Sequence, residues 1–438
     1  MSRCLFGTSG IRMKVDDMPR EFVVNIAMAL GTYSKDSEIV IGIDTRKTSP
    51  KLKDEFISGL SITGKRIIDL GIATTPTVAM ASEEYGTGVV ITASHNPPEY
   101  NGFKFWHNGR VYSPEEEKCV EEIFHKGRFN RINPVKNNIR REDYTKKHKK
   151  RILKKVGKVD NEVSVLIDCA NGAGSVITPK LLDEMGCNVV SINTEVNGEF
   201  PHGLEPIEEN LSEVCEMVKK LDVDIGIVHD GDADRSAAID YKGKLIEWDS
   251  FLAVLAYGKN RVVTTVDASM RIEEVCKEVV RTSVGDVAVA NAIERKNADF
   301  GGEPSGSFIF PEVHLFPDGV LTAAVTAKLI SQNRFYEILN KINNYPMKRI
   351  KIPCVEDKKV GIMERLKDIC KNMKYDTEHS IDYTDGLKIL FDDGWFLIRP
   401  SGTESFIRIT AEAKNYKRLD ELINTGKEMI DTVMSEIE

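Results

Sequence analysis

Three times the chain places an apolar, β-branched run directly before an aspartate, at residues 39–44, 163–168 and 262–267. Such a run reads as a parallel strand that is buried on both faces and delivers a polar residue at its carboxyl end. Helical periodicity follows each run, for example over residues 178–185, so the pattern predicts three successive α/β units. The tail differs. Residues 387–391, the pair Asp393-Gly394 and residues 395–398 read as a β-hairpin whose glycine supplies a positive φ. A strand at 407–411 follows, then a helix capped by Asn415 with Leu419, Leu422, Ile423 and Ile430 on one face. At 438 residues the chain exceeds a single core, and the expected segments are 1–150, 151–245, 246–350 and 351–438.

Apolar residues at 41% and charged residues at 29% exclude a disordered or fibrous chain. The longest apolar stretches, such as residues 251–257, fall far short of the roughly 20 residues a membrane-spanning helix needs. The first residues, Met1-Ser2-Arg3-Cys4, hold no signal-peptide core, so the expectation is a cytoplasmic protein without a membrane partner. The eight cysteines lack any C-x-x-C spacing, which argues against a disulfide framework or a zinc knuckle. A formal charge of −8 gives no general attraction for nucleic acid. The basic run at 146–155 reads as a solvated helix between domains, because no aromatic residue is interleaved for base stacking.

Several loops carry chemistry. Residues 88–91 read as a strand running into Thr92-Ala93-Ser94-His95-Asn96-Pro97-Pro98, where the prolines forbid a helix and leave Ser94 at the strand's carboxyl end. Ligands bind at that edge of open α/β sheets, and His95 and Lys104 are near enough in sequence to assist an activated hydroxyl. The segment equally fits an ordinary polar loop with His95 bonded to backbone. A second strand leads through His229 into Asp230-Gly231-Asp232-Ala233-Asp234-Arg235, whose alternate carboxylates are hard oxygen ligands suited to Mg²⁺. A calcium EF-hand would need Gly and Glu where this loop has Arg235 and Tyr241, and the strand leading into the cluster disfavours a merely solvated turn. Arg399-Pro400-Ser401-Gly402-Thr403-Glu404 has the donors to hold a phosphate, although its composition is also common in turns. Gly301-Gly302-Glu303-Pro304-Ser305-Gly306-Ser307 offers a carboxylate and a hydroxyl suited to sugar hydroxyls, and residues 6–12 can close the same cleft; each alone could be only a turn.

Taken together and in order, these loops resemble the α-D-phosphohexomutase superfamily across essentially the whole chain. The likeness is carried by Gly7-Thr8-Ser9-Gly10-Ile11-Arg12, by Thr92-Ala93-Ser94-His95-Asn96-Pro97, by residues 230–235, by Gly302-Glu303-Pro304-Ser305-Gly306 and by Arg399-Pro400-Ser401-Gly402-Thr403-Glu404. It implies a four-domain α/β architecture: three related α/β domains and a small C-terminal α+β domain that binds phosphate. It further implies that Ser94 is a phosphoserine and that one Mg²⁺ per chain is held by Ser94, Asp230, Asp232 and Asp234. Arg12, His95 and Lys104 would assist proton transfer and charge neutralisation. Arg235, Glu303 and Ser305 would contact the sugar, and Arg399, Ser401, Gly402, Thr403 and Arg408 the distal phosphate. The implied reaction interconverts hexose 6-phosphate and 1-phosphate, with a sugar 1,6-bisphosphate as activator and sugar phosphates as the small-molecule partners.

Residues 302–312 look most like the archaeal-type phosphoglucosamine mutase branch, whereas Ser307 and Val287 depart from the histidine and basic residue found in many relatives. Alternatives on the same residues are phosphomannomutase or phosphoglucomutase activity, a phosphatase, or a non-catalytic sugar-phosphate sensor. A last domain that clamps phosphate in either substrate orientation would be mobile, with a hinge near residue 350.

Overall fold

The computed structural model describes residues 5–7, 10–132, 138–372, 379–401 and 405–437. Its first sheet runs in the order Ile11–Lys14, Tyr100–His107, Thr87–Ile91, Glu38–Ile43, Arg66–Ile72, Ile139–Arg141. Strand Glu38–Ile43 is the central one, parallel to Arg66–Ile72 on one side and to Thr87–Ile91 on the other. Ile39 and Ile41 join one apolar layer and Val40 the other. Burial on both faces explains the uninterrupted apolar run, since each fully buried Ile or Val contributes about 1.5–3 kcal/mol.

The second and third sheets repeat this topology. Strand Ser164–Asp168 lies between Asn188–Ile192 and Ile225–His229, and strand Arg261–Thr265 lies between Glu278–Thr282 and Phe300–Gly302, all parallel. In each of the three sheets the third strand then pairs with an antiparallel one, which is Tyr100–His107, Ser236–Asp240 or Phe308–Ile309. Chain order therefore reverses direction across the central strand. The crevice at the carboxyl ends, where an open α/β sheet binds ligands, falls between the first and third strands of each unit.

The second and third units share one apolar core. Helix Gly319–Ser331 packs against helix Thr178–Met185 and strands Ile225–His229 and Ser236–Asp240, so this helix of the third segment covers the second sheet. Helix Thr145–Val156 is not simply solvated, because His148 and Ile152 on it are buried.

The fourth sheet is antiparallel, in the order Met347–Pro353, Phe406–Ala413, Gly394–Pro400, Leu387–Phe391, His379–Asp382. It begins at Met347, ahead of residue 351, and Ile350 sits mid-strand opposite Ile409. A hinge at residue 350 would break this ladder, and the connection lies at residues 342–346. The hairpin forms as expected, but its glycine does not turn it: Gly394 already stands in the ladder opposite Phe391, and Asp392-Asp393 make the turn without a positive φ. Asn415 caps helix Tyr416–Ile437 by accepting the Arg418 N–H at 2.9 Å.

This sheet is fastened to the third unit by buried polar groups. The Glu412 carboxylate accepts hydrogen bonds from Ser269 Oγ, from Met270 N–H at 2.7 Å and from Trp395 Nε1 at 2.8 Å. Lys388 Nζ donates to Val266 O at 2.6 Å beneath the Trp395 ring. Glu412→Ala should destabilise this junction by about 1–3 kcal/mol for each donor left unpaired. Limited proteolysis should then release a fragment beginning near residues 342–346 sooner than in the parent; equal cleavage rates would contradict the assignment.

Candidate active site

Ser94 stands three residues past strand Thr87–Ile91, with its hydroxyl donating to Asp230 Oδ2 at 2.7 Å. It adopts a left-handed backbone, φ 51°, which costs a non-glycine residue about 1–2 kcal/mol and persists only where its surroundings hold it. They do so here through Arg46. From the end of the central strand this buried guanidinium donates to Ser94 O at 2.8 Å, Asn96 O at 2.6 Å, Pro97 O at 2.6 Å and Tyr100 O at 3.0 Å. Its Nε pairs with Asp44 at 3.0 Å. Arg46 was not singled out from the sequence. The available signal was the Asp-x-Arg step after the first strand, where a planar donor fork can gather several carbonyls.

The carboxylate loop meets Ser94 from the second unit. A Cβ on Gly231 would lie 2.8 Å from Ser94 O, so glycine permits the two loops to touch. Asp230, Asp232 and Asp234 are buried and offer oxygens within 4.8 Å of one another. Lys104, alternating with core residues Phe103 and Phe105 on its strand, reaches across to Asp232 at 2.8 Å and Asp234 at 2.6 Å. Thr75 donates through N–H and Oγ to Asp232 O and Oδ2.

These contacts set the charge states. Burial first, then Asp234 and Asp232, pushes the Asp230 carboxyl well above the usual carboxylate range. Burial acts the same way on Asp232, but Lys104, Thr75 and Arg12 overcome it and hold that carboxyl well below the range. Burial also works against the Lys104 charge, and Asp232 and Asp234 outweigh it and raise its pKa. Asp232 Oδ1 and Asp234 Oδ1 are buried without a hydrogen-bond partner. Unpaired carboxylate oxygens turned into a cluster suit a hard divalent cation.

The remaining residues surround this centre unevenly. Arg12 donates to Asn96 Oδ1 at 3.3 Å, and His95 Nδ1 lies 3.4 Å from Ser94 Oγ. Burial, then Arg235 and Arg12, lowers His95 to about 3, so it is neutral at physiological pH. The Arg235 N–H donates to Asp230 Oδ1, and Ser305 is half-buried. Glu303, at the matching crevice of the third sheet, accepts the Gly285 N–H at 2.8 Å. Arg399 is not free to act alone. It pairs with Asp385 at 2.9 Å, and Asp385 also accepts the Val284 N–H. Arg408 stands opposite Arg399 in the ladder, and Ser401 O accepts from Lys359 Nζ at 2.7 Å. Gly402 and Thr403 lie outside the described residues, as do Thr8 and Ser9.

Comparison with known proteins divides the chain into four matched segments. Residues 3–131, 142–243, 249–345 and 350–425 match, in turn, the alpha/beta/alpha domains I, II and III and the C-terminal domain described for phosphoglucomutase/phosphomannomutase. The chain belongs to the phosphoglucomutase/phosphomannomutase family. A Pyrococcus abyssi relative named "probable phosphoglucosamine mutase" is 42% identical, covering 97% of each chain. The Methanococcus aeolicus phosphoglucosamine mutase is 39% identical, covering 99% of each. A solved phosphoglucomutase/phosphomannomutase family protein from Burkholderia thailandensis shares the fold, with TM-score 0.89 and 23% identity over 99% of this chain and 98% of that one. Membership in the phosphoglucomutase/phosphomannomutase family makes the chain a mutase, an enzyme of the isomerase class.

Two outcomes follow from the geometry. Arg46→Met leaves the buried Asp44 carboxylate without its cation, and should destabilise the protein by about 3–5 kcal/mol in chemical denaturation. Burial first, then Asp286, raises the Glu303 carboxyl from 4.5 to about 7, against the Gly285 N–H and Arg235. A carboxyl held above its unfolded value contributes stability at low pH that is lost as pH rises through that window. The melting midpoint of Glu303→Gln relative to the parent should therefore climb between about pH 4.5 and 7 and level off above; a flat difference would refute the shift.

Proposed function

We propose that this chain is a phosphoglucosamine mutase that interconverts glucosamine 6-phosphate and glucosamine 1-phosphate in the cytoplasm, through a phosphoserine at Ser94 and a bound bisphosphate sugar. The observation that carries the reading is the buried Ser94 hydroxyl, 2.7 Å from one carboxylate of a three-carboxylate cluster. Names carried by relatives at about 40% identity over the full length support glucosamine phosphate as the substrate.

In the first transfer the bond from phosphorus to Ser94 Oγ breaks, a bond to the free sugar hydroxyl forms, and that hydroxyl's proton ends on Ser94 Oγ. The bisphosphate sugar turns over, and its other phosphoryl returns to Ser94. The Ser94 proton then passes to the sugar oxygen, so atoms and charge balance over the cycle. In the resting protein Asp230 Oδ2 accepts the hydrogen bond from the Ser94 hydroxyl. Asp230, Asp232, Asp234 and the phosphorylated Ser94 would hold one Mg²⁺, which supplies charge neutralisation for the transferring oxygens. His95, neutral at working pH, adds no positive charge beside Ser94. Lys104 and Arg12 offset the negative charge around it. Arg235, Glu303 and Ser305 bind the sugar. Arg399, Ser401, Gly402, Thr403 and Arg408 hold the phosphate that is not being transferred, and a sugar 1,6-bisphosphate recharges dephosphorylated Ser94.

Ser94→Ala should lower turnover of glucosamine 6-phosphate by more than about 10³-fold while substrate binding by calorimetry stays within about threefold. Near-normal turnover would end the phosphoserine reading. In the parent, kcat/KM should favour glucosamine 6-phosphate over the glucose and mannose 6-phosphates. A preference for either of those would reassign the substrate, and release of inorganic phosphate in place of an isomer would reassign the reaction.

A further inference from the structure

Behind the carboxylate loop lies a buried group that none of the steps above uses. His148 and His314 both direct Nε2 at one oxygen of Asp318, at 2.8 and 2.9 Å, and the three side chains are 0–5% exposed. Two imidazoles and a carboxylate can hold a metal, but an ionised carboxylate only accepts hydrogen bonds, so both Nε2 atoms carry hydrogen and have no lone pair to give. The group is a hydrogen-bonded cluster, and its connections run to the loop from two sides.

On one side, His148 Nδ1 bonds Thr77 Oγ1 at 2.9 Å. Thr77 lies in the first turn of helix Thr75–Tyr85, and its N–H is capped by Thr74. The same turn presents Thr75, whose N–H donates to Asp232 O at 3.0 Å and whose hydroxyl donates to Asp232 Oδ2 at 2.5 Å. On the other side, Asp318 Oδ1 caps helix Gly319–Ser331 by accepting the Leu321 N–H. The next residue, Gly319, donates its N–H to Ala233 O at 3.1 Å. Ala233 has a left-handed backbone, φ 54°, a conformation that alanine keeps only when its surroundings impose it.

We propose that the closed ring Asp232, Thr75, Thr77, His148, Asp318, Gly319, Ala233 fixes the conformation of the carboxylate loop, with His148 and Asp318 as positioning residues for its oxygens. The ring joins helices of the first and third segments to a loop of the second, and Thr77, His148 and Asp318 reach the loop through Thr75 or Gly319 rather than through substrate. Groups that orient metal-holding side chains in this way characteristically affect metal affinity 10- to 100-fold. The loop's rigidity is independent of any metal; only the metal-affinity consequence rests on the reading given under Proposed function.

The test compares Asp318→Asn and Thr77→Val with Thr326→Val, which removes a buried hydroxyl bonded only within helix Gly319–Ser331. Hydrogen exchange over residues 229–236 in metal-free protein should quicken at least about tenfold in the first two variants and stay unchanged in the third. Mn²⁺ binding by electron paramagnetic resonance should weaken about 10- to 100-fold in the first two, with kcat falling at fixed low Mg²⁺ and KM for sugar phosphate steady. Unchanged exchange in Thr77→Val, or the same quickening in Thr326→Val, would overturn the ring. If Asp318→Asn does not fold, Thr77→Val decides. A parent protein that binds no Mn²⁺ would sink the metal reading, while the exchange comparison still decides the ring.

Discussion

Lys104 is the cation on which the centre depends. Three buried aspartates cannot all stay ionised in a dry crevice, since desolvation and mutual repulsion both favour protonation. The ammonium of Lys104, inserted from the first sheet between Asp232 and Asp234, keeps Asp232 charged and is kept charged in return. Ser94 arrives from the same sheet on the neighbouring strand, so one β-ladder delivers both the Ser94 hydroxyl and the counter-charge for the opposing loop. The contact between the first and second units is thereby built into the site and is more than a packing surface.

Topology explains why the chemistry collects there. In the three α/β units the chain leaves the central strand to one side and returns on the other, and the loop after the third strand crosses the crevice before turning antiparallel. That loop is the Ser94 loop in the first unit, the residue 230–235 loop in the second and the Glu303 loop in the third. The fourth sheet has no parallel strands and therefore no such crevice. Instead Arg399 and Arg408 stand opposite each other on strands Gly394–Pro400 and Phe406–Ala413.

Much of this was legible in the sequence because the carriers are local. Short motifs such as Thr92-Ala93-Ser94-His95-Asn96-Pro97 and residues 230–235 contain their own chemistry, and two-faced burial of the central strands leaves an apolar run ending in aspartate. What escaped is what depends on distant partners. Arg46 binds carbonyls some 50 residues away, Thr75 binds Asp232 across 157 residues and His148 meets Asp318 across 170. Thr75 and His148 leave no pattern of their own, and Arg46 leaves only the Asp-x-Arg step. Lys104 was visible as a neighbour of Ser94 in sequence, yet its partners are in the other loop. The hairpin glycine was misplaced because Asp393-Gly394 imitates a positive-φ turn, although the ladder resumes at Gly394.

The fourth sheet is fastened to the third unit at more than one point. Arg399 reaches the third unit through Asp385, which also binds the Val284 N–H, while the Gly285 N–H binds Glu303. The Arg399–Asp385 pair and the Glu303 carboxylate thus share one short loop, so movement of either is felt by the other. Glu412 and Lys388 hold the same two units together at buried contacts. Separating the fourth sheet from the third unit would break these buried hydrogen bonds at about 1–3 kcal/mol for each group left unpaired.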